Sequence, residues 1–155
     1  MKTLVVYETE YGNTEKIARA VAEALGAHGE ARVTPVESVE ALEGEGLDLL
    51  VVGAPTQRHG LPAPVKDLLE STPRGALTAV RALAFDTRYH RARWITGSAA
   101  KEIGQLLRDH ACQLLAPPES FFVTGSEGVL EPGEEDRARA WALRSLGRVQ
   151  PAAST

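Results

Sequence analysis

Thr3-Leu4-Val5-Val6-Tyr7-Glu8-Thr9-Glu10-Tyr11-Gly12-Asn13-Thr14-Glu15-Lys16-Ile17-Ala18 is the stretch from which the fold can be read. Residues 3–7 form an unbroken apolar, largely β-branched run, as expected of a strand covered on both faces. From Asn13 onward, Ile17, Ala18, Val21, Ala22 and Leu25 recur at helical spacing, and Gly26 and Gly29 close the element. A helix is therefore expected over 13–27. A buried strand that passes through a short polar loop into a helix begins a crossover between parallel strands.

The rest of the chain repeats this alternation. Arg32, Thr34 and Val36 around Pro35 read as a short edge strand, because proline cannot donate to a central ladder. Residues 47–53 form a second buried strand, and a helix opening near Pro62 and Pro64 turns Val65, Leu68 and Leu69 inward. A strand over 80–85 leads through a basic loop to a helix over about 98–111, with Ile103, Leu106 and Leu107 on one face. Residues 120–123 form the last expected strand. The final helix starts with Glu134, Glu135 and Asp136, which complement its dipole, and turns Trp141, Leu143 and Leu146 to the core. Five strands alternating with helices imply an α/β fold with a parallel sheet and helices on both faces. Ligands bind such sheets beyond the carboxyl ends of the strands, where strand order reverses, so the loops after strands one, three and four hold the candidate site.

Bulk properties narrow the function classes. The 155 residues suit one domain, expected over 1–149 with a tail at 150–155. Hydrophobic residues make up 43% and charged residues 25%, an ordinary globular balance. A net charge of −4 offers no general attraction to nucleic acid or anionic membrane. No apolar run is long enough to span a bilayer, and Met1-Lys2 leads into a strand too short for the apolar core of a signal peptide. With Cys112 as the single cysteine, neither an internal disulfide nor a cysteine-rich metal site is expected. The chain reads as cytoplasmic, with no membrane insertion and no metal.

The loop after the first strand suits an anion. A helix start presents unpaired N–H groups and a partial positive charge. Gly12 permits close backbone approach, Thr9 and Thr14 bring hydroxyls, and Asn13 brings an amide. The loop contains no Lys or Arg, so a phosphate would rest on neutral dipoles. The Gly-Lys-Ser/Thr ending of a Walker loop and the glycine spacing of a dinucleotide fingerprint are both missing.

Val5-Val6-Tyr7, Thr9, Gly12, Thr14, Ala18 and Val21 stand at the spacings of the flavodoxin family, which the chain resembles in order over nearly its whole length. The resemblance implies a flavodoxin-like three-layer sandwich with a five-stranded parallel sheet, order 2-1-3-4-5, and FMN as cofactor. By the same resemblance Thr9, Glu10, Tyr11, Gly12, Asn13 and Thr14 hold the phosphate, while Pro55, Thr56, Gln57, Arg58, His59 and Gly60 cover one face of the ring. Asp86, Thr87, Arg88 and Tyr89 supply the second flank, with Tyr89 the first candidate for stacking and Trp94 the second. Two departures stand out. Glu10 and Tyr11 replace small hydroxyl residues, so the Glu10 carboxylate is expected to turn away from a phosphate. Gln57, Arg58 and His59 replace the usual aromatic.

Arg88, Arg91 and Arg93 are expected either to form a solvated patch or to approach the ring and favour its reduced anion, raising the potential above that of an acidic-sited carrier. His28 and His110 read as helix-end residues, Cys112 as a small buried hydrophobe, and the 124–128 stretch as a polar turn that could line the same rim. The aspartates form no receiver-type acidic pair, and Ser98 lacks a nucleophile-elbow setting. The function implied is an FMN-binding redox protein, either an electron carrier to a redox partner protein or a small oxidoreductase acting on a quinone or porphyrin-like acceptor. The alternative is a flavodoxin-like domain without flavin that serves as a binding module.

Overall fold

The structure, a computed structural model, describes residues 1–58, 60–90, 97–124 and 128–147. Its strands are β1 (Lys2–Tyr7), β2 (Glu30–Pro35), β3 (Leu49–Pro55), β4 (Arg81–Tyr89), β5 (Gln113–Leu114), β6 (Glu119–Thr124) and β7 (Val129–Leu130). The helices among the described residues are α1 (Asn13–Leu25), α2 (Ala63–Ser71), α3 (Ala99–Asp109) and α4 (Glu134–Gly147). The sheet runs β2-β1-β3-β4-β6-β7. Pairing is parallel through β6, and β7 closes the edge antiparallel. The expected order 2-1-3-4-5 is therefore present, with β6 as its fifth member. The short β5 and β7 are additions: β5 pairs with the start of β4, and β7 is a two-residue return against β6. Two-residue strands carry no periodicity from which they could be read.

The sheet separates two apolar layers. Under α1 and α4 lie Val5, Tyr7, Ile17, Val21, Leu83, Phe85, Phe121 and Trp141. The rings of Phe85, Phe121 and Trp141 meet edge to face, with centroids 5.7 to 6.3 Å apart. Gly53 makes this possible, since a Cβ there would overlap the Phe85 ring. Under α2 and α3 lie Val6, Leu50, Val52, Val65, Leu69, Ile103 and Leu107. Cys112 is buried in this layer, and burial raises its thiol pKa to about 11.

Three expectations need correction. The fourth strand continues to Tyr89 instead of ending at Phe85, because β6 pairs with it from Phe85 to Tyr89 and its polar side chains find long-range partners. Helix α1 stops at Leu25 and tightens into a 3-10 turn over Gly26–His28. In α4, Leu143 is 42% exposed and Ser145 is fully buried, its hydroxyl donating to the Trp141 carbonyl at 2.7 Å. The inward stripe is thus Ala138, Trp141, Ala142 and Ser145, a helical repeat in which small residues allow close approach.

Candidate functional site

At the carboxyl ends of β1, β3, β4 and β6 the chain forms a cleft of about 420 Å³, counted out to open solvent. Thr9, Glu10, Tyr11, Asn13 and Thr14 line it from the first loop, Pro55 and Thr56 from the end of β3, and Thr87, Arg88 and Tyr89 from β4. Val123 and Gly128 also line it. The position is the reversal point of the sheet, where β1 has β2 on one side and β3 on the other.

The first loop is held by its own groups. The Gly12 N–H donates to the Thr9 hydroxyl at 2.8 Å, and Gly12 takes a left-handed φ of 91°. Among the described residues, no atom beyond its own chain neighbours lies within 4 Å of where its Cβ would stand, so glycine is required for its backbone angle and not to relieve crowding. Gly12, the residue before α1, has no side chain with which to cap it. The N–H groups of Asn13, Thr14 and Glu15 precede the first intrahelical bond and are the donors such a start offers to an anion. Thr14, 1% exposed, shares a hydrogen bond of 2.8 Å with Thr87. The Asn13 amide donates to the Gly128 carbonyl, fastening the return into β7 to the helix start.

Tyr11 and Tyr89, 75% and 43% exposed, both approach Gly128 at the mouth of the cleft. Glu10 lines the cleft, and its carboxylate, hydrogen-bonded to the Tyr11 hydroxyl, holds that phenol above its ordinary pKa. Glu8 is also held above the usual carboxylate range, by burial first and then by Glu37 and Glu10.

Other expected contacts are not among the described residues that line the cleft. Gln57 and Gly60 bond to each other through paired backbone groups at 3.0 and 2.8 Å, closing a tight turn. Gln57, Arg58 and Gly60 are not among the lining residues, and the Leu61 N–H donates to Glu102 of α3. Asp86 is fully buried beneath the cleft instead of lining it. Arg88, expected either in a solvated patch or near the ring, is only 6% exposed and forms part of the wall. His59, Arg91, Arg93, Trp94 and residues 125–127 lie outside the described residues, as does the expected tail. Val123 was not anticipated as a lining residue; its one signal was its place at the end of the last strand.

Among the described residues no group of three or more His, Cys, Asp or Glu is placed to hold a metal ion, and no helix is long and apolar enough to cross a membrane.

A largely parallel sheet with a helix start and a cleft at its reversal point defines a doubly wound α/β protein of the flavodoxin-like type. The flavodoxin family model matches residues 5–141, and the chain belongs to the flavodoxin family. A flavodoxin from the domain Archaea superposes with a TM-score of 0.79 at 16% identity, over 96% of this chain and 99% of that one. Flavodoxin 2 from Bacillus cereus gives 0.76 at 18% identity, over 96% and 99%. Rubredoxin oxygen:oxidoreductase from Desulfovibrio gigas gives 0.67 at 16% identity, over 96% of this chain but 37% of that one. A sequence search of curated proteins finds no match. Family membership supports flavin binding and electron transfer as the class of function.

Proposed function

We propose that this chain is an FMN-binding redox protein whose cleft holds the cofactor phosphate at the start of α1, with residues 1–149 acting as one domain. The observation that carries the reading is the start of a 13-residue helix that opens, through Asn13 and Thr14, into the cleft. The residues fit the group. The helix start contributes about half a positive charge. In the Thr14–Thr87 pair one hydroxyl donates and the other keeps its hydrogen for an acceptor. Thr9 and Asn13 line the same end of the cleft, while Tyr89, Tyr11 and Val123 offer apolar surface for a ring.

When bound, FMN supplies one- and two-electron chemistry, and the chain supplies binding and electrostatics. Arg88 in the wall favours negative charge, and Glu10 opposes it. No side chain is assigned a catalytic acid or base role. The electron acceptor is a redox partner protein or a small molecule such as a quinone, and a cytoplasmic setting accords with this chemistry. The exposed Tyr11 and Tyr89 give a partner an apolar contact beside the cleft.

The second reading, a flavin-free binding module, draws support from Glu10 in the cleft and from a described lining that does not include Gln57, Arg58 or Gly60. Titration of the protein with FMN, followed by flavin fluorescence, separates the two. Tight binding with quenching is expected, and absence of binding at micromolar FMN overturns the redox reading.

A further inference from the structure

Asp86 anchors a buried polar cluster under the cleft. Its Oδ2 accepts hydrogen bonds from the Thr56 hydroxyl at 2.8 Å, the Ser98 hydroxyl at 3.0 Å and the Ala100 N–H at 3.0 Å. The Thr56 hydroxyl oxygen in turn accepts from the Ala99 N–H at 2.9 Å. Oδ1 is equally buried and has no hydrogen-bond partner among the described residues. A carboxylate removed from water is expensive unless hydrogen-bonded, and one oxygen here takes three donors. Capping alone does not call for it, because Ser98 already accepts from the Lys101 N–H at the start of α3. Asp86 does not line the cleft, but Thr56 does. The hydroxyl hydrogen of Thr56 is committed to Asp86, so any influence of Asp86 on a ligand passes through Thr56 and the segment that carries it.

We propose that Asp86 is a positioning residue for the ligand site: by accepting from Thr56 and Ser98 it locks the end of β3 to the start of α3 and presets the cleft wall. The inference rests on the FMN reading above. A preset wall spares the ligand the cost of ordering it, so loosening the wall shows as weaker binding and an altered ring environment.

The test titrates the full chain and its variants with FMN, reading fluorescence quenching and the visible circular dichroism of bound flavin. Asp86→Asn keeps an acceptor oxygen and is expected to bind within about threefold of the parent, with the parent's dichroism. Asp86→Ala is expected to lose about tenfold or more and to change the dichroic bands. Thr56→Val removes the shared hydroxyl while keeping Asp86, and is expected to give the same change; it carries the test should Asp86→Ala not fold. Parent-like affinity and dichroism in folded Asp86→Ala, or in Thr56→Val where the former does not fold, overturn the inference. Asp86→Asn as weak as Asp86→Ala overturns it too, since charge and not hydrogen-bond acceptance would then act. Failure of the parent to bind FMN removes the FMN reading itself, an outcome distinct from a variant that binds as the parent does.

Discussion

The hydroxyl oxygens of Thr14, in the first turn of α1, and Thr87, near the carboxyl end of β4, lie 2.8 Å apart although 73 residues separate them. Both side chains are buried, at 1% and 4% exposure. The bond joins the helix start to the strand that forms the opposite wall of the cleft. It therefore couples the phosphate end of the proposed site to the integrity of the fold.

Replacing Thr14 tests both roles. Thr14→Val keeps the branched shape but leaves the Thr87 hydroxyl buried without its partner, and is expected to lower stability by about 1–2 kcal/mol. Urea denaturation of the flavin-free protein reads that loss. Thr14→Leu adds bulk at the helix start and is expected to weaken FMN retention by well over about tenfold. Parent-like retention in Thr14→Leu contradicts a phosphate at the start of α1.

Acid unfolding should report Glu134. Its carboxylate accepts from the Arg137 guanidinium at 2.7 and 2.8 Å and from the Phe122 N–H at 2.7 Å. The Arg137 hydrogen bonds lead in holding it below the usual carboxylate range, against the opposing effect of burial. A depressed folded value stabilises the protein above the unfolded value, and that contribution fades as pH falls through the lower, folded one. Glu134→Gln is accordingly expected to melt below the parent at pH 7, with the gap closing under about pH 4. Thermal melts across that range check it, and a gap independent of pH contradicts it.

Arg88 offers a test on the redox side. Its position in the cleft wall at 6% exposure places a fixed cation where water screens it poorly. Arg88→Gln is expected to make addition of the second electron less favourable by about 1 kcal/mol, while Arg88→Lys stays closer to the parent. Potentiometric titration of FMN-loaded protein measures this directly. An unchanged second couple in Arg88→Gln removes the arginine from the account of the potential.

The amino-acid sequence by itself determined the alternation of elements, the parallel sheet and the loop that opens α1. Those features rest on local periodicity and on short-range rules: the apolar run before Tyr7, the helical repeat from Ile17 to Leu25, and the polar residues around Gly12 between them. What surrounds that loop was decided by tertiary contacts. Asp86, Thr87 and Arg88 read as a loop because they are polar, yet they are strand, since β6 supplies the ladder and Thr56, Ser98 and Thr14 supply partners from 12 to 73 residues away. Gln57 and Gly60 read as part of a cover for the cleft, and only the folded chain shows that they bond to each other by two backbone hydrogen bonds. Leu143 reads as core-facing and is 42% exposed, while Ser145 is fully buried and completes the stripe that α4 turns to the core. A polar side chain can be buried wherever its hydrogen bonds are met, and only the folded chain shows which distant residue meets them.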